Sequence, residues 1–347
     1  SSSEAARLFR WSLPLLGSMA LLYLSGNLVN FVVIYYLKQA QFNIFNAANA
    51  FRTLALALPA AIAIPLFPHI SSLHKERAFS EIRTRTWQAL RYTAMLVIPG
   101  VIALVIYRVN FLLILYQKTY IPGAPALAIL AISAIPAALS QIIATTLTSI
   151  GRTRLEFYIT SLQVACLSIV SVLLVQPPAQ LGWLNGWGVT GLNGAAMAVL
   201  VSSLAALLLN TYFMLTLLGI RIQVTSLVMI TASAGASFFA ISRLNEYLPV
   251  NRYYQLAAAV ILGFAVYLAV LSLTGELSKS DVRRVSRSLG LSPRSSEFLT
   301  KLCWKESARE VNAVPPSGAK GLAPVESEWE EPPTPRSPPE GPTPPLP

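Results

Sequence analysis

Of the 347 residues, 54% are hydrophobic and only 12% charged, against roughly 25% charged in an ordinary soluble domain, which excludes most water-soluble folds. The net charge of +11 would suit nucleic acid, but the basic residues cluster in short connections between apolar runs, as topology signals do, so no nucleic-acid partner is expected. Glu4, Glu76, Glu81, Glu156, Glu246, Glu276 and Asp281 sit at segment ends and every other acidic residue lies beyond residue 290, so no carboxylate is expected deep in the membrane.

A hydrocarbon core of about 30 Å takes roughly 20 apolar residues per helix. Eight stretches qualify: 11–37, 44–68, 87–107, 122–148, 155–176, 189–218, 225–242 and 252–274. The predicted fold class is all-α integral membrane, a bundle of about eight transmembrane helices over 11–274, preceded by a cytoplasmic lead-in at 1–10. With no initiator methionine and no signal peptide, the chain reads as a fragment or a processed product.

The first two stretches hold most of the intramembrane polar groups, which are expensive in lipid and should face protein or water. Tyr23, Asn27 and Asn30 fall at i, i+4 and i+7 on the first helix; Asn46 and Asn49 precede Arg52 on the second. With a helix start near Asn43, the rise per residue puts Arg52 about 13 Å below the outer boundary. A lone guanidinium there costs about 3 kcal/mol on insertion scales. Three fates are open: contact with a substrate headgroup in a hydrated cavity, where the planar fork suits a phosphate or diphosphate; hydrogen bonds to neighbouring carbonyls; or snorkelling outward. The asparagines either line that cavity or join helices by hydrogen bonds worth about 0.6 kcal/mol each.

Further along, Pro14, Pro59, Pro65, Pro99 and Pro136 interrupt the spans, and Pro99 is followed by Gly100, a pattern that bends helices. His69 and His74 lie at the inner end of the second helix and in the following loop, without companions for a metal site. Arg108 marks the outer interface. Residues 111–116 are apolar but too short to span and read as an interfacial turn leading to Tyr120, Pro122 and Gly123. Gln141 and Thr145 suggest helix packing, and the small residues of 188–196 permit close helix contact. Trp183 and Trp187, in the uncharged connection 177–190, suit an outer interface. Cys166 and Cys303 cannot build a disulfide framework.

After the last span, 275–290 reads as a short basic amphipathic helix on anionic membrane lipid, and 291–347, rich in Pro, Ser and Glu, as disordered. There are no paired carboxylates in a plausible pocket, no histidine beside a nucleophile, no phosphate loop and no zinc spacing, so neither an enzyme nor a cofactor is expected.

Several motifs, in this order, carry a family likeness: Pro14-Leu15-Leu16 before an apolar span; Phe67-Pro68-His69-Ile70-Ser71 with a basic loop; Tyr120-Ile121-Pro122-Gly123-Ala124-Pro125-Ala126-Leu127; Ser149-Ile150-Gly151-Arg152-Thr153-Arg154; Gly188-Val189-Thr190-Gly191-Leu192-Asn193-Gly194-Ala195-Ala196; and Gly275-Glu276-Leu277-Ser278-Lys279-Ser280-Asp281. Over residues 10–290 the chain resembles the polysaccharide-exporter (Wzx-like) group of the multidrug/oligosaccharidyl-lipid/polysaccharide flippase superfamily. The resemblance implies the second of two helical lobes around a central cavity, helices seven to fourteen, with the amino-terminal lobe supplied by the same or a separate chain. It also implies a polyprenyl-linked oligosaccharide as substrate and a basic residue, here Arg52, against its diphosphate. Asn30 stands where many relatives have an acidic residue, and Asn43-Ile44-Phe45 where they have Gly-x-Tyr.

Translocation of a lipid-linked oligosaccharide by alternating access is therefore the expected function. The rivals are a cation-coupled multidrug exporter, disfavoured by the lack of a buried carboxylate; a membrane-embedded glycosyltransferase or polymerase, disfavoured by the short loops; and a non-transporting scaffold half with a partner-recruiting tail.

Lysine and arginine placement sets the orientation. Arg7, Arg10, Lys75, Arg77, Arg83, Arg85, Arg152, Arg154, Arg221, Lys279, Arg283, Arg284 and Arg287 fall on one side, and only Lys38, Arg108, Lys118, Arg243 and Arg252 on the other. The richer side should be cytoplasmic, which makes this a multi-pass protein of the cytoplasmic membrane with both ends on the cytoplasmic side. Single cysteines placed in 71–85 should resist an impermeant thiol reagent in intact cells while one near Asn185 reacts; the opposite labelling pattern inverts the topology.

Overall fold

The computed structural model describes residues 2–176, 190–219, 224–245 and 252–273, and among them all regular structure is helical. The helices are α1 (Ser2–Tyr36), α2 (Gln39–Lys75), α3 (Phe79–Ile106), α4 (Arg108–Leu115), α5 (Ala124–Ser149), α6 (Thr153–Val175), α7 (Gly191–Leu218), α8 (Val224–Asn245) and α9 (Arg252–Leu273), with a 3₁₀ turn at Lys118–Gly123. Seven of the described helices are long and apolar enough to cross a bilayer, and the chain is a multi-pass membrane protein. The eighth expected span is helical too, but its apolar part, Leu256–Ser272, runs 17 residues. The expected segments 275–290 and 291–347, and Trp183 and Trp187, lie outside the described residues.

Helix ends depart from the hydropathy reading. α1 already starts at Ser2, inside the expected lead-in, and α2 has 37 residues, about 55 Å at the helical rise, well beyond a hydrocarbon core of about 30 Å. The loop expected at 71–85 shrinks to 76–78 because α3 begins at Phe79. Backbone hydrogen bonds, unlike hydropathy, continue through polar ends such as Ser80, Glu81 and Arg83. The short apolar run at 111–116 forms the latter part of α4, and the turn after it brings Gly123 so close to α2 that a Cβ there would collide with the Ile44 side chain. The departure at Asn43-Ile44-Phe45 is thus matched by a residue without a side chain, and Phe45 is buried.

α5 is the axis of the bundle, packed against α2, α7 and α3; α6 bridges α1 and α7, and the α8–α9 pair rests on α3. Close approach follows from small side chains: Ala124, Ala126, Ala131, Ala134 and Ala138 of α5 and Gly194, Ala195, Ala196 and Ala198 of α7 are buried. Apolar side chains fill two main regions. One joins the first half of α5 to Val29, Val33, Phe45 and Phe51; the other joins its second half to Ile70, Ile82, Met214 and Tyr267.

Hydroxyls of α5 also tie neighbours in place. Ser140 Oγ accepts from Asn210 Nδ2 of α7 at 2.8 Å, Thr146 Oγ1 lies 3.4 Å from Thr86 Oγ1 of α3, and the Ser149 carbonyl accepts from Ser71 Oγ of α2 at 3.0 Å. Thr145 instead turns back on its own helix, donating to the Gln141 carbonyl at 2.8 Å, the usual resort of threonine inside a helix. Asn210 Oδ1 is buried without a hydrogen-bond partner.

Pro99 leaves a second mark. Lacking an N–H, it cannot bond the carbonyl four residues earlier, that of Met95. That carbonyl accepts instead from Tyr267 Oη of α9 at 3.1 Å, in a fully buried position. The proline in α3 thus creates the acceptor that anchors α9. Tyr267→Phe should cost about 1 kcal/mol in equilibrium unfolding in mixed micelles. In a Pro99→Ala background, where an N–H again reaches Met95, the cost should fall toward zero; an unchanged cost would show that the bond contributes independently of the proline.

Candidate functional site

Phe51 fixes the rotational setting of the first half of α2. It is 6% exposed and meets Phe111 and Tyr116 edge-on at 5.7 and 6.3 Å. The next residue is turned about 100° round the helix, which carries Arg52 from the α4 side to α5. There Arg52 Nε donates to Ser133 Oγ at 2.9 Å. Ser133 is fully buried, and its own proton goes to the Leu130 carbonyl at 2.7 Å. A hydroxyl has one proton and two lone pairs, so Ser133 faces the guanidinium as an acceptor only.

The remaining four N–H donors of Arg52 sit on its two Nη atoms. Among the described residues none has a protein partner, and neither Nη is shut off from the surface. Among the described residues no carboxylate pairs with Arg52. Of the fates left open by sequence, bonding to neighbouring carbonyls is not what the structure shows; a hydroxyl on another helix takes that place.

The other sequence-predicted residues spread along α1 and α2 without joining hands. Tyr23 is 79% exposed, and its carbonyl accepts from Asn27 Nδ2 at 2.9 Å within the same helix. Asn30 is half-buried between Val29 and Val33 of the core, and its Oδ1 is buried without a partner. Asn46 and Asn49 are half-buried on α2; the Asn49 carbonyl accepts from Thr53 Oγ1 at 3.1 Å. No hydrogen bond links Tyr23, Asn27 or Asn30 to Asn46, Asn49 or Arg52, because α1 packs chiefly on α6 and α2 chiefly on α5. His69 is exposed and His74 half-buried beside the Phe79 ring.

Three groups escaped the reading from sequence. Ser133 is one serine among many, and nothing in its spacing marks it. Arg91 falls inside the apolar stretch 87–107 and is half-buried on α3; a charge search of each stretch would have found it. Glu156, in the first turn of α6, sits at a segment end in the sequence. In the structure its Oε1 accepts from Thr160 Oγ1 at 3.4 Å and its Oε2 is buried without a partner. The expectation that this half holds no buried carboxylate is therefore corrected: Glu156 is half-buried with one of its oxygens fully buried.

Residues 1–125 match the family model described as polysaccharide biosynthesis protein. No curated protein sequence matches the chain. Among solved structures it superposes on lipid II flippase MurJ in an inward closed conformation, with a TM-score of 0.64 at 14% identity, over 80% of this chain and 56% of that one. The chain has a flippase fold. It spans little more than half the length of that flippase.

Proposed function

We propose that this chain is one helical lobe of a membrane transporter that flips a polyprenyl-(di)phosphate-linked oligosaccharide across the cytoplasmic membrane during cell-surface glycan assembly. In this reading the protein is a transporter, not an enzyme, and a further lobe completes the cavity. The carrying observation is Arg52: a cation on an apolar helix, held by a neutral hydroxyl rather than a carboxylate, with its forked end unoccupied by protein. A carboxylate partner would satisfy such a cation and spoil it for an anionic headgroup; a serine leaves its charge uncompensated. The family model over the first third of the chain and the MurJ-like fold support the same reading. Asn46 and Asn49 precede Arg52 on the same helix and complete the proposed lining, with Asn27, Asn30 and Tyr23 contributing from α1.

A cation-coupled multidrug exporter of the same superfamily is the second reading, and Glu156 is the observation in its favour. A half-buried carboxylate whose Oε2 is buried without a hydrogen-bond partner among the described residues is the kind of group that binds a proton or a metal cation in a membrane protein.

The two readings part on mutation. In the complete transporter, Arg52→Ala should abolish or strongly reduce lipid-linked sugar translocation while insertion and accumulation stay near normal, since removing an uncompensated charge relieves an insertion cost of about 3 kcal/mol. Arg52→Lys should recover part of the activity, because an ammonium keeps the charge without the planar fork. Normal transport by Arg52→Ala would sink the headgroup role. For the second reading, Glu156→Gln, assayed by drug efflux against an imposed cation gradient, should leave lipid-linked sugar transport intact if the flippase reading holds; loss of gradient-driven drug efflux would favour the exporter.

A further inference from the structure

We infer that Ser133 of α5 is a positioning residue for Arg52, setting the guanidinium so that its two Nη groups present a forked, diphosphate-selective edge; this rests on the headgroup role proposed above. A guanidinium offers two forks to a phosphate: the side edge formed by Nε and one Nη, and the end edge formed by both Nη atoms. Ser133 takes Nε at 2.9 Å and with it the side edge. Only the end edge is left for a ligand.

The direction of the contact is secured from behind. The Ser133 proton is spent on the Leu130 carbonyl at 2.7 Å, so the hydroxyl cannot rotate to donate elsewhere without breaking that bond, and full burial keeps water from replacing it. Arginine side chains otherwise hop among many rotamers, and holding one before the ligand arrives removes much of the ordering cost of binding. An end-on fork, with its two donors side by side, pairs with two oxygens of one phosphoryl group or bridges two neighbouring ones; a diphosphate offers both arrangements and more charge, a monophosphate only the first. The expected signature of Ser133 is therefore selectivity for diphosphate over monophosphate, beyond mere attraction of negative charge.

The probes are farnesyl diphosphate and farnesyl monophosphate, titrated calorimetrically into the full-length protein in detergent. Ser133→Ala should weaken the diphosphate about tenfold, the weight of one hydrogen bond to a charged group, with a smaller effect on the monophosphate. Ser133→Thr, which keeps the hydroxyl and its bond to the preceding turn, should restore the selectivity. Should Ser133→Ala fail to accumulate, Ser133→Cys, similar in size but a weak acceptor, serves in its place, with selectivity again expected to fall. In an Arg52→Ala background the Ser133 change should have no further effect. If Arg52→Ala itself leaves diphosphate binding unchanged, the headgroup reading fails. If Arg52→Ala weakens binding but loss of the Ser133 hydroxyl leaves selectivity unchanged, only the positioning role is overturned. Equal weakening of both probes, or additive loss in the Arg52→Ala background, would likewise overturn it in favour of a purely structural serine.

Discussion

In a bilayer no water stands by to satisfy a backbone or side-chain polar group, so every such group has to find its partner within the protein. Much of this structure follows from that constraint, and α5 is where it converges. Its alanines let α2 and α7 come close, and closeness turns its hydroxyls into shared partners. Ser133 serves Arg52, Ser140 serves Asn210 and Thr146 faces Thr86, while the backbone at Ser149 serves Ser71. Hydrophobic burial gives little drive for association between helices already in lipid. Packing of small residues and these few bonds specify which helices meet.

The same constraint explains how a proline in a span becomes a joint. Pro99 removes one hydrogen bond from α3, and the carbonyl it orphans is met by Tyr267 from α9, 172 residues away in sequence from Met95. A helix that had only to cross the membrane could avoid proline. One whose broken rung holds a neighbour uses the break as an address. The pairing gives the α8–α9 pair, which otherwise rests on α3 through apolar contact, a fixed register.

Groups left without a partner are the counterpart. The Arg52 fork, Asn30 Oδ1, Asn210 Oδ1 and Glu156 Oε2 all depart from the rule. Two of them, Arg52 and Asn30, lie on the helices that in the proposed transporter line the central cavity. In the proposed transporter, the use of these polar groups depends on what stands opposite them across the cavity. Arg52 differs from the rest in being partly satisfied in a directed way, which is why its remaining donors have a defined chemistry.

The sequence by itself determined that the chain crosses the membrane as helices, how many apolar stretches it has, which asparagines and which arginine of the first two helices sit in them, and its resemblance to flippases, because hydropathy and helical period are local properties of the chain. It placed the ends of α1, α2 and α3 less well, since hydrogen-bonded helix continues through polar residues that hydropathy discards. Only the tertiary structure decided that Asn27 bonds back within its own helix, that one oxygen of Glu156 is buried, and that Gly123 leaves room for Ile44. Only it chose Ser133 as the partner of Arg52 across 81 residues of sequence and Met95 as the acceptor for Tyr267. A hydroxyl or a carbonyl is present at almost every turn of such a chain, and which one matters is settled by the helix that packing brings against it.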